Sequence, residues 1–286
     1  MLYTKYMRKF LAVLVYTIVI LMIGRNLPAL PRFTVFSNPD NTAQEIKKDV
    51  LSATTAHKGN YGIYFADLKN GTSFGSNEYE IFTAASVNKV PLIAALYYLA
   101  EKGEVDLQEQ ITLQERDIQG YGTGSLRYQK PGETYSLQSL AKMALKESDN
   151  TAAFILGEKI GKGTAQEIIE DKFGLTQTSI PDNTTSSYDL YLLFKGIYDH
   201  TLISEAHAKE ILGYMTDTDI EDRIPAELPS GTTVSHKTGD AVGNLHDVGI
   251  ITKGDDVYFL SVLTSDIGTD ETGTKKTISD IAKRIL

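Results

Sequence analysis

The stretch of sequence that decides the fold is TAASVNKVPLIAALYYLAEKG, residues 83–103. From about Ser86 to Lys102 it is strongly apolar, and Gly103 follows as a residue suited to end a helix. A helix that is apolar all round must be enclosed by other elements, so we predict that it runs through the middle of the domain. Its first turn carries Ser86 and Lys89, which are three residues apart and therefore share one face.

The hydrophobic periodicity on either side of this helix changes from one segment of the chain to the next. Residues 42–57 read as an amphipathic helix, and residues 61–68 alternate as a strand before an Asn-Gly turn. Residues 105–227 show several helical periods, and short β-type runs and one helix then end the chain. Because the terminal elements must share one sheet, the predicted fold is α/β, an α+β sandwich with an inserted all-helical subdomain.

Composition excludes several classes of function. The 286 residues carry a net charge of -9 without a basic run, which argues against nucleic-acid binding. The absence of cysteine excludes disulfides, thiolate catalysis and cysteine-ligated zinc. The histidines have no metal-ligand spacing, so we expect neither a metal nor another cofactor. We also expect a monomer.

The N-terminus differs from the rest of the chain. Basic residues precede an uncharged apolar run at residues 10–24, which is typical of an export signal. The run is shorter than the roughly 20 residues of a membrane span, yet no clean cleavage site follows it. We therefore expect an extracytoplasmic protein, anchored by an uncleaved segment or secreted after cleavage. The predicted divisions are a signal anchor or signal peptide at 1–27, a linker at 28–41 and a catalytic domain at 42–286.

Ser86 and Lys89 are a candidate nucleophile and base. A buried lysine amine near other cations titrates low enough to accept a hydroxyl proton. The pattern itself is common, however, because Ser139 and Lys142 repeat the same spacing inside another predicted helix. The spacing alone does not separate catalysis from an ordinary first turn.

Two further motifs favour catalysis. Alone, ESDN at 147–150 would be read as a helix N-cap, and HKTGD at 236–240 would be read as a strand end. In chain order, Ser-x-x-Lys, Ser-Asp-Asn and Lys-Thr-Gly resemble the set found in class A β-lactamases and penicillin-binding proteins. The segments GYGTGSLRY, NTAAFIL and HDVGII strengthen a resemblance that covers about 42–286.

This resemblance implies a five-stranded antiparallel sheet and an acyl-enzyme mechanism. Ser86 would attack the carbonyl of a β-lactam or a D-Ala-D-Ala peptide, and Lys89 would activate it. Ser148 would relay a proton to the leaving nitrogen, which Lys237 polarises.

The remaining implied roles concern substrate binding. Asn150 would bind the ligand's amide, and Thr238 with Lys237 its carboxylate. The backbone amides of Ser86 and Asp240 would form an oxyanion hole. Gly239 would leave space for a ligand along the strand.

Two departures from the family pattern stand out. The loop that carries the deacylating glutamate in class A enzymes is too short here, and Asp182 is the only carboxylate nearby. Glu147, beside Ser148, is less suited to that role.

The second departure is at the carboxylate site, where the arginine that many class A enzymes carry after Lys-Thr-Gly is missing. His246 could bind the carboxylate if protonated, or it is an ordinary strand histidine, and Asp240 adds a negative charge.

Three hypotheses follow. The first is a β-lactamase that hydrolyses the β-lactam amide and so confers antibiotic resistance. The second is a DD-peptidase or slowly deacylating penicillin-binding protein that acts on peptidoglycan, which the missing glutamate and an anchor would suit. The third is a non-catalytic penicillin sensor that stays acylated.

Overall fold

A computed structural model describes residues 39–286, so the predicted anchor and almost all of the predicted linker lie outside the described residues. The helices are α1 (Pro39–Thr54), α2 (Lys89–Glu101), α3 (Leu137–Lys146), α4 (Asn150–Ile160), α5 (Lys162–Asp171), α6 (Ser187–Tyr198), α7 (Glu205–Tyr214) and α8 (Glu271–Arg284). The strands are β1 (Asn60–Asp67), β2 (Ser73–Ser76), β3 (Phe82–Thr83), β4 (Gln110–Thr112), β5 (Thr134–Ser136), β6 (Thr184–Thr185), β7 (Thr232–Ala241), β8 (Asn244–Lys253) and β9 (Asp256–Ser265). Short 3-10 turns occur at Ala85–Asn88, Glu115–Asp117 and Leu126–Tyr128.

The main sheet has five antiparallel strands in the order β2-β1-β9-β8-β7. The last strand, β9, pairs with the first long strand, β1, over its full length. This pairing joins the two ends of the described chain in one sheet, as the sequence predicted. β7 therefore lies at one edge of the sheet and is free on one side to approach other elements.

Both faces of the sheet are covered. Along β9, Phe259 and Leu263 belong to one hydrophobic cluster, whereas Leu260 and Val262 belong to the other. This alternation follows from the two-residue period of a strand. The second cluster is completed by α1 and α8, and the first contains α2 and the helical block.

The helix α2 occupies the centre of the first cluster. Ten of its 13 residues are buried, including Lys89. Pro91 is tolerated because it lies in the first turn, where its missing N–H is not needed. Gly103 follows with a φ of +73°, a conformation that glycine adopts without a Cβ penalty. The prediction of a central, enclosed helix is confirmed.

The structure refines two predicted boundaries. The first helix begins at Pro39 rather than Thr42, and proline is well suited to a helix start. The block at 105–227 is helical apart from short strands, because β4 pairs with β5 and β6 pairs with β3. Among residues 39–286, no helix is both long and apolar enough to cross a membrane.

Candidate active site

Ser86 lies in the 3-10 turn that leads into α2. The residue before it, Ala85, has a φ of +49°, a left-handed conformation that costs a non-glycine residue roughly 1–3 kcal/mol. The Ala84 N–H donates to the Asn183 carbonyl at 2.8 Å, and this bond fastens the turn to the loop that contains Asn183. Ser86 is half-buried at a cavity of about 530 Å³.

Gly239 brings this turn against the edge strand β7. A Cβ at Gly239 would lie 2.9 Å from the Ala84 carbonyl oxygen and 3.1 Å from Val87 Cγ1. The resemblance implies that this glycine leaves space for a ligand. The structure gives a different reason, because the close contact is with the nucleophile turn itself.

Lys89 follows Ser86 by three residues and is almost fully buried. Its Nζ donates to the Ser148 carbonyl at 2.5 Å and to Asn150 Oδ1 at 2.8 Å. Burial, followed by the nearby Lys237 cation, lowers the pKa of Lys89 to about 6. The amine is therefore mostly neutral at pH 7, and its lone pair can accept a proton. Ser86 Oγ makes no hydrogen bond to any described residue.

Ser148 links the two lysines. Its Oγ lies 3.2 Å from Lys89 Nζ and accepts a hydrogen bond from Lys237 Nζ at 3.0 Å. Burial lowers the pKa of Lys237 to about 8, so this lysine is still largely charged at neutral pH. A cation that donates to the hydroxyl and a neutral amine that can receive its proton make Ser148 a suitable proton relay.

The residues of the Ser-Asp-Asn motif have two roles, since one caps a helix and the other two line the cavity. Asp149 is the N-cap of α4, and its two carboxylate oxygens accept from Ala152 N and Leu126 N, each at 2.8 Å. The cap reading of the motif is thus correct for Asp149. It leaves Ser148 and Asn150 on either side free to line the cavity.

The second Ser-x-x-Lys copy has none of this environment. Ser139 and Lys142 are both exposed on α3. The Ser139 N–H donates to Ser136 Oγ at 3.0 Å as part of the helix cap. This copy therefore has the spacing without a buried lysine, and it lies inside a helix as predicted.

Thr238 and Asp240 line the cavity from β7. The Asp240 carboxylate forms an ion pair with Arg223, whose Nη2 lies 2.5 Å from Asp240 Oδ1. Arg223 is buried and its Nη1 also donates to the His246 carbonyl at 2.8 Å. Arg223 is not among the predicted site residues, because no motif around it indicates this pairing, which depends on the folded chain.

Of the two interpretations of His246, the structure contradicts carboxylate binding and supports the ordinary strand histidine. The ring is fully buried, its Nε2 donates to the Thr83 carbonyl at 2.7 Å, and its Nδ1 accepts from the Thr264 N–H at 3.0 Å. Both ring nitrogens are therefore occupied. Burial lowers the pKa of His246 to about 4, so the ring is neutral. His246 joins β8, β9 and the strand before Ser86, and it does not line the cavity.

The short loop before α6 presents no carboxylate to Ser86. Ile180, Pro181 and Asn183 line the cavity, whereas Asp182 is exposed and its Oδ2 accepts from Ser179 Oγ at 2.8 Å. Glu147 does not line the cavity either, and its Oε2 accepts from the Ser125 N–H. Neither Asp182 nor Glu147 is placed as a deacylating base. Within residues 39–286, no group of three His, Asp or Glu side chains could hold a metal ion.

The chain is similar in sequence and in structure to known proteins. A model of the β-lactamase enzyme family matches residues 41–286. β-Lactamase SME-1 of Serratia marcescens is 25% identical over 275 residues, which cover 89% of this chain and 92% of that protein. A β-lactamase structure from Sphaerobacter thermophilus has a TM-score of 0.79 at 25% identity, covering 84% of this chain and 95% of that one.

A further solved structure is that of PBP-A, with a TM-score of 0.77 and 27% identity. The match covers 86% of this chain and 94% of that chain. A mutant of PBP-A has also been solved as an acyl-enzyme complex with penicillin G.

Proposed function

Because the chain belongs to the β-lactamase enzyme family, we propose that it is a serine hydrolase whose Ser86 is acylated by β-lactams and whose acyl-enzyme is hydrolysed slowly. The observation that carries the proposal is the pair of amines on one hydroxyl. The Nζ atoms of Lys89 and Lys237 both lie within 3.2 Å of Ser148 Oγ. Ser86, which shares a turn with Lys89, lines the same cavity as Ser148.

Acylation would proceed in two proton transfers. Ser86 Oγ attacks the β-lactam carbonyl carbon while the neutral Lys89 amine takes its proton. The C–N bond then breaks, and the proton passes through Ser148 to the leaving nitrogen. The product is an ester on Ser86. The charge that develops on the carbonyl oxygen would be stabilised by the backbone amides of Ser86 and Asp240, and the ligand's carboxylate by Lys237 and Thr238.

Release of the acyl group would be slow because the loop side of Ser86 has no carboxylate base. Water must attack the ester, and a positioned general base typically accelerates such a step about 10²–10⁴-fold. The loop contributes Ile180, Pro181 and Asn183 to the cavity, none of which is acidic.

The same observation favours a second candidate, a DD-peptidase that acts on peptidoglycan stems. Such an enzyme needs the same acylation machinery, and a mutant of PBP-A, a protein 27% identical to this chain, has been solved as an acyl-enzyme with penicillin G. A sensor that stays acylated is the limiting case of slow release.

We also propose, on the N-terminal pattern of the sequence alone, that the protein is exported. It would be held by a membrane anchor, or secreted after cleavage. We further propose that it is a monomer.

Intact-mass measurement with a chromogenic cephalosporin and benzylpenicillin tests the proposal. We expect a covalent adduct on Ser86 that forms rapidly and decays slowly. Ser86→Ala should remove the adduct, whereas Ser139→Ala, its matched control, should not. Rapid turnover without adduct accumulation would contradict slow release, and a folded protein without any adduct would overturn the nucleophile assignment. A D-Ala-D-Ala peptide assay then separates the peptidase from the sensor.

A further inference from the structure

The cavity that Ser86 lines is also lined by residues of α2 and α4, and we call this part of it the α2/α4 arm. Its sides are Leu92 from α2, and Ala153 and Phe154 from α4. The loop residues Ile180 and Pro181 line it as well. These side chains are apolar, so the arm suits an extended hydrocarbon segment rather than a polar one.

The length of the arm can be read from α4. Asn150, Ala153, Phe154 and Gly157 follow a helical spacing of three and four residues and so share one face. At 1.5 Å per residue, Asn150 and Gly157 are about 10 Å apart along the helix axis. Gly157 is buried and does not line the cavity, but a Cβ there would lie 3.9 Å from Leu92 Cδ2 and from the Cγ and Cε of Lys162, so the Lys162 side chain lies beside this turn of α4.

Lys162 gives the arm a positive charge at its far end. It lines the cavity and is exposed, and it forms no ion pair or hydrogen bond with any described residue. The one acidic side chain that lines the cavity, Asp240, comes from β7 and is paired with Arg223. An anionic group at the end of the arm would therefore meet a cation that has no carboxylate of residues 39–286 within ion-pair distance.

We propose that the α2/α4 arm is a subsite for the acyl side chain of the substrate, and that it takes an extended apolar chain ending in a carboxylate. This inference rests on the proposed function, since the same ligand must acylate Ser86. Asn150, which would bind the amide of the acyl group, stands at the entrance, and Lys162 would meet the terminal carboxylate. The implied substrates are β-lactams or peptides whose N-acyl group is a dicarboxylic acid or an amino acid with a free distal carboxylate.

A series of penicillins with succinyl, adipoyl and suberoyl side chains tests this subsite, each paired with its neutral terminal methyl ester. The rate constant for acylation of Ser86 is measured by intact mass on the full chain. We expect the succinyl acid and ester to react alike because the chain is too short to reach Lys162. For a longer member, the acid should react about three- to fivefold faster than its ester, as for an exposed ion pair.

Variants of Lys162 separate charge from shape. Lys162→Met should abolish the preference for the acid, Lys162→Arg should retain it, and Lys172→Met, an exposed lysine at the other end of α5, should leave it unchanged. Equal rates for every acid and ester pair, or a preference that survives Lys162→Met, would overturn the inference. Benzylpenicillin acylation of the same proteins reports the proposed function separately. Its failure in the unsubstituted protein would remove both.

Discussion

The two sides of Ser86 differ in the charges that they present. On one side, Lys89 and Lys237 are buried around Ser148, and burial lowers the pKa of both amines. On the other side, the loop offers the neutral Asn183 and Ile180, while its acidic residue, Asp182, is exposed and does not line the cavity. The first side is equipped for proton transfer and the second is not.

Under the proposed function, acylation of Ser86 (the capture side) and release of the acyl group (the release side) would therefore depend on separate elements. The residues proposed for acylation come from α2, the start of α4 and the edge strand β7, which are all anchored in the core. The loop is tied to the nucleophile turn through Asn183 and through the pairing of β6 with β3. It therefore supports the position of Ser86 without supplying a base.

Removing the base on the capture side should have the largest effect. We expect Lys89→Met to lower the acylation rate about 10²–10⁴-fold, the range of general-base catalysis. The measurement is the growth of the benzylpenicillin adduct by intact mass. Lys142→Met, in the exposed second copy of the motif, is the control and should react like the unsubstituted protein. A similar rate for Lys89→Met would show that another group accepts the Ser86 proton.

Adding a base on the release side should have the next largest effect. Ile180→Glu places a carboxylate on the loop beside the cavity, and we expect deacylation to accelerate about tenfold or more. Ile180→Gln has a similar shape without the charge and should release the acyl group at the original rate. Decay of the adduct by mass provides the measurement. Equal decay in both variants would argue against the absence of a base as the cause of slow release.

The pH dependence should reflect the two lysines of the capture side. Acylation needs Lys89 neutral, so its rate should rise as the pH increases through about 6. It also needs Lys237 charged, so the rate should fall as the pH increases through about 8. The expected profile is a bell with roughly tenfold change per pH unit outside these limits. A flat profile from pH 5 to 9, measured by adduct formation, would contradict these assignments.

The smallest effect on catalysis should come from His246. His246→Leu leaves the Thr83 carbonyl and the Thr264 N–H without partners, which should cost about 1–3 kcal/mol of the free energy of unfolding. Thermal and denaturant unfolding measure that loss. The benzylpenicillin concentration that gives half-maximal acylation rate should stay unchanged. A large increase in it, without loss of stability, would restore His246 as a ligand for the carboxylate.

Much of the fold follows from patterns that are local in sequence. The apolar run after Ser86 predicted a central helix, and the alternation in the terminal segments predicted strands that share a sheet. Residues 39–41 and the short strands of the helical block were missed. A proline-containing segment and runs of two or three residues are too short to show a period, and β4 exists only because β5 lies beside it.

The sequence by itself determined which residue types occur and in which order: Ser86 with Lys89, then Ser148 with Asn150, then Lys237 to Gly239. The Ser-x-x-Lys spacing alone could not separate Ser86 from Ser139, because both have a lysine three residues later, and the sequence favoured Ser86 only through the two further motifs. The tertiary structure supplied the physical reason for that choice, by burying Lys89 between α2, α4 and β7 while Lys142 remained in solvent. The pKa of an amine depends on burial and on neighbouring charges, and these are set by residues far apart in the chain. For the same reason only the folded chain decided that His246 is neutral and that Arg223 pairs with Asp240.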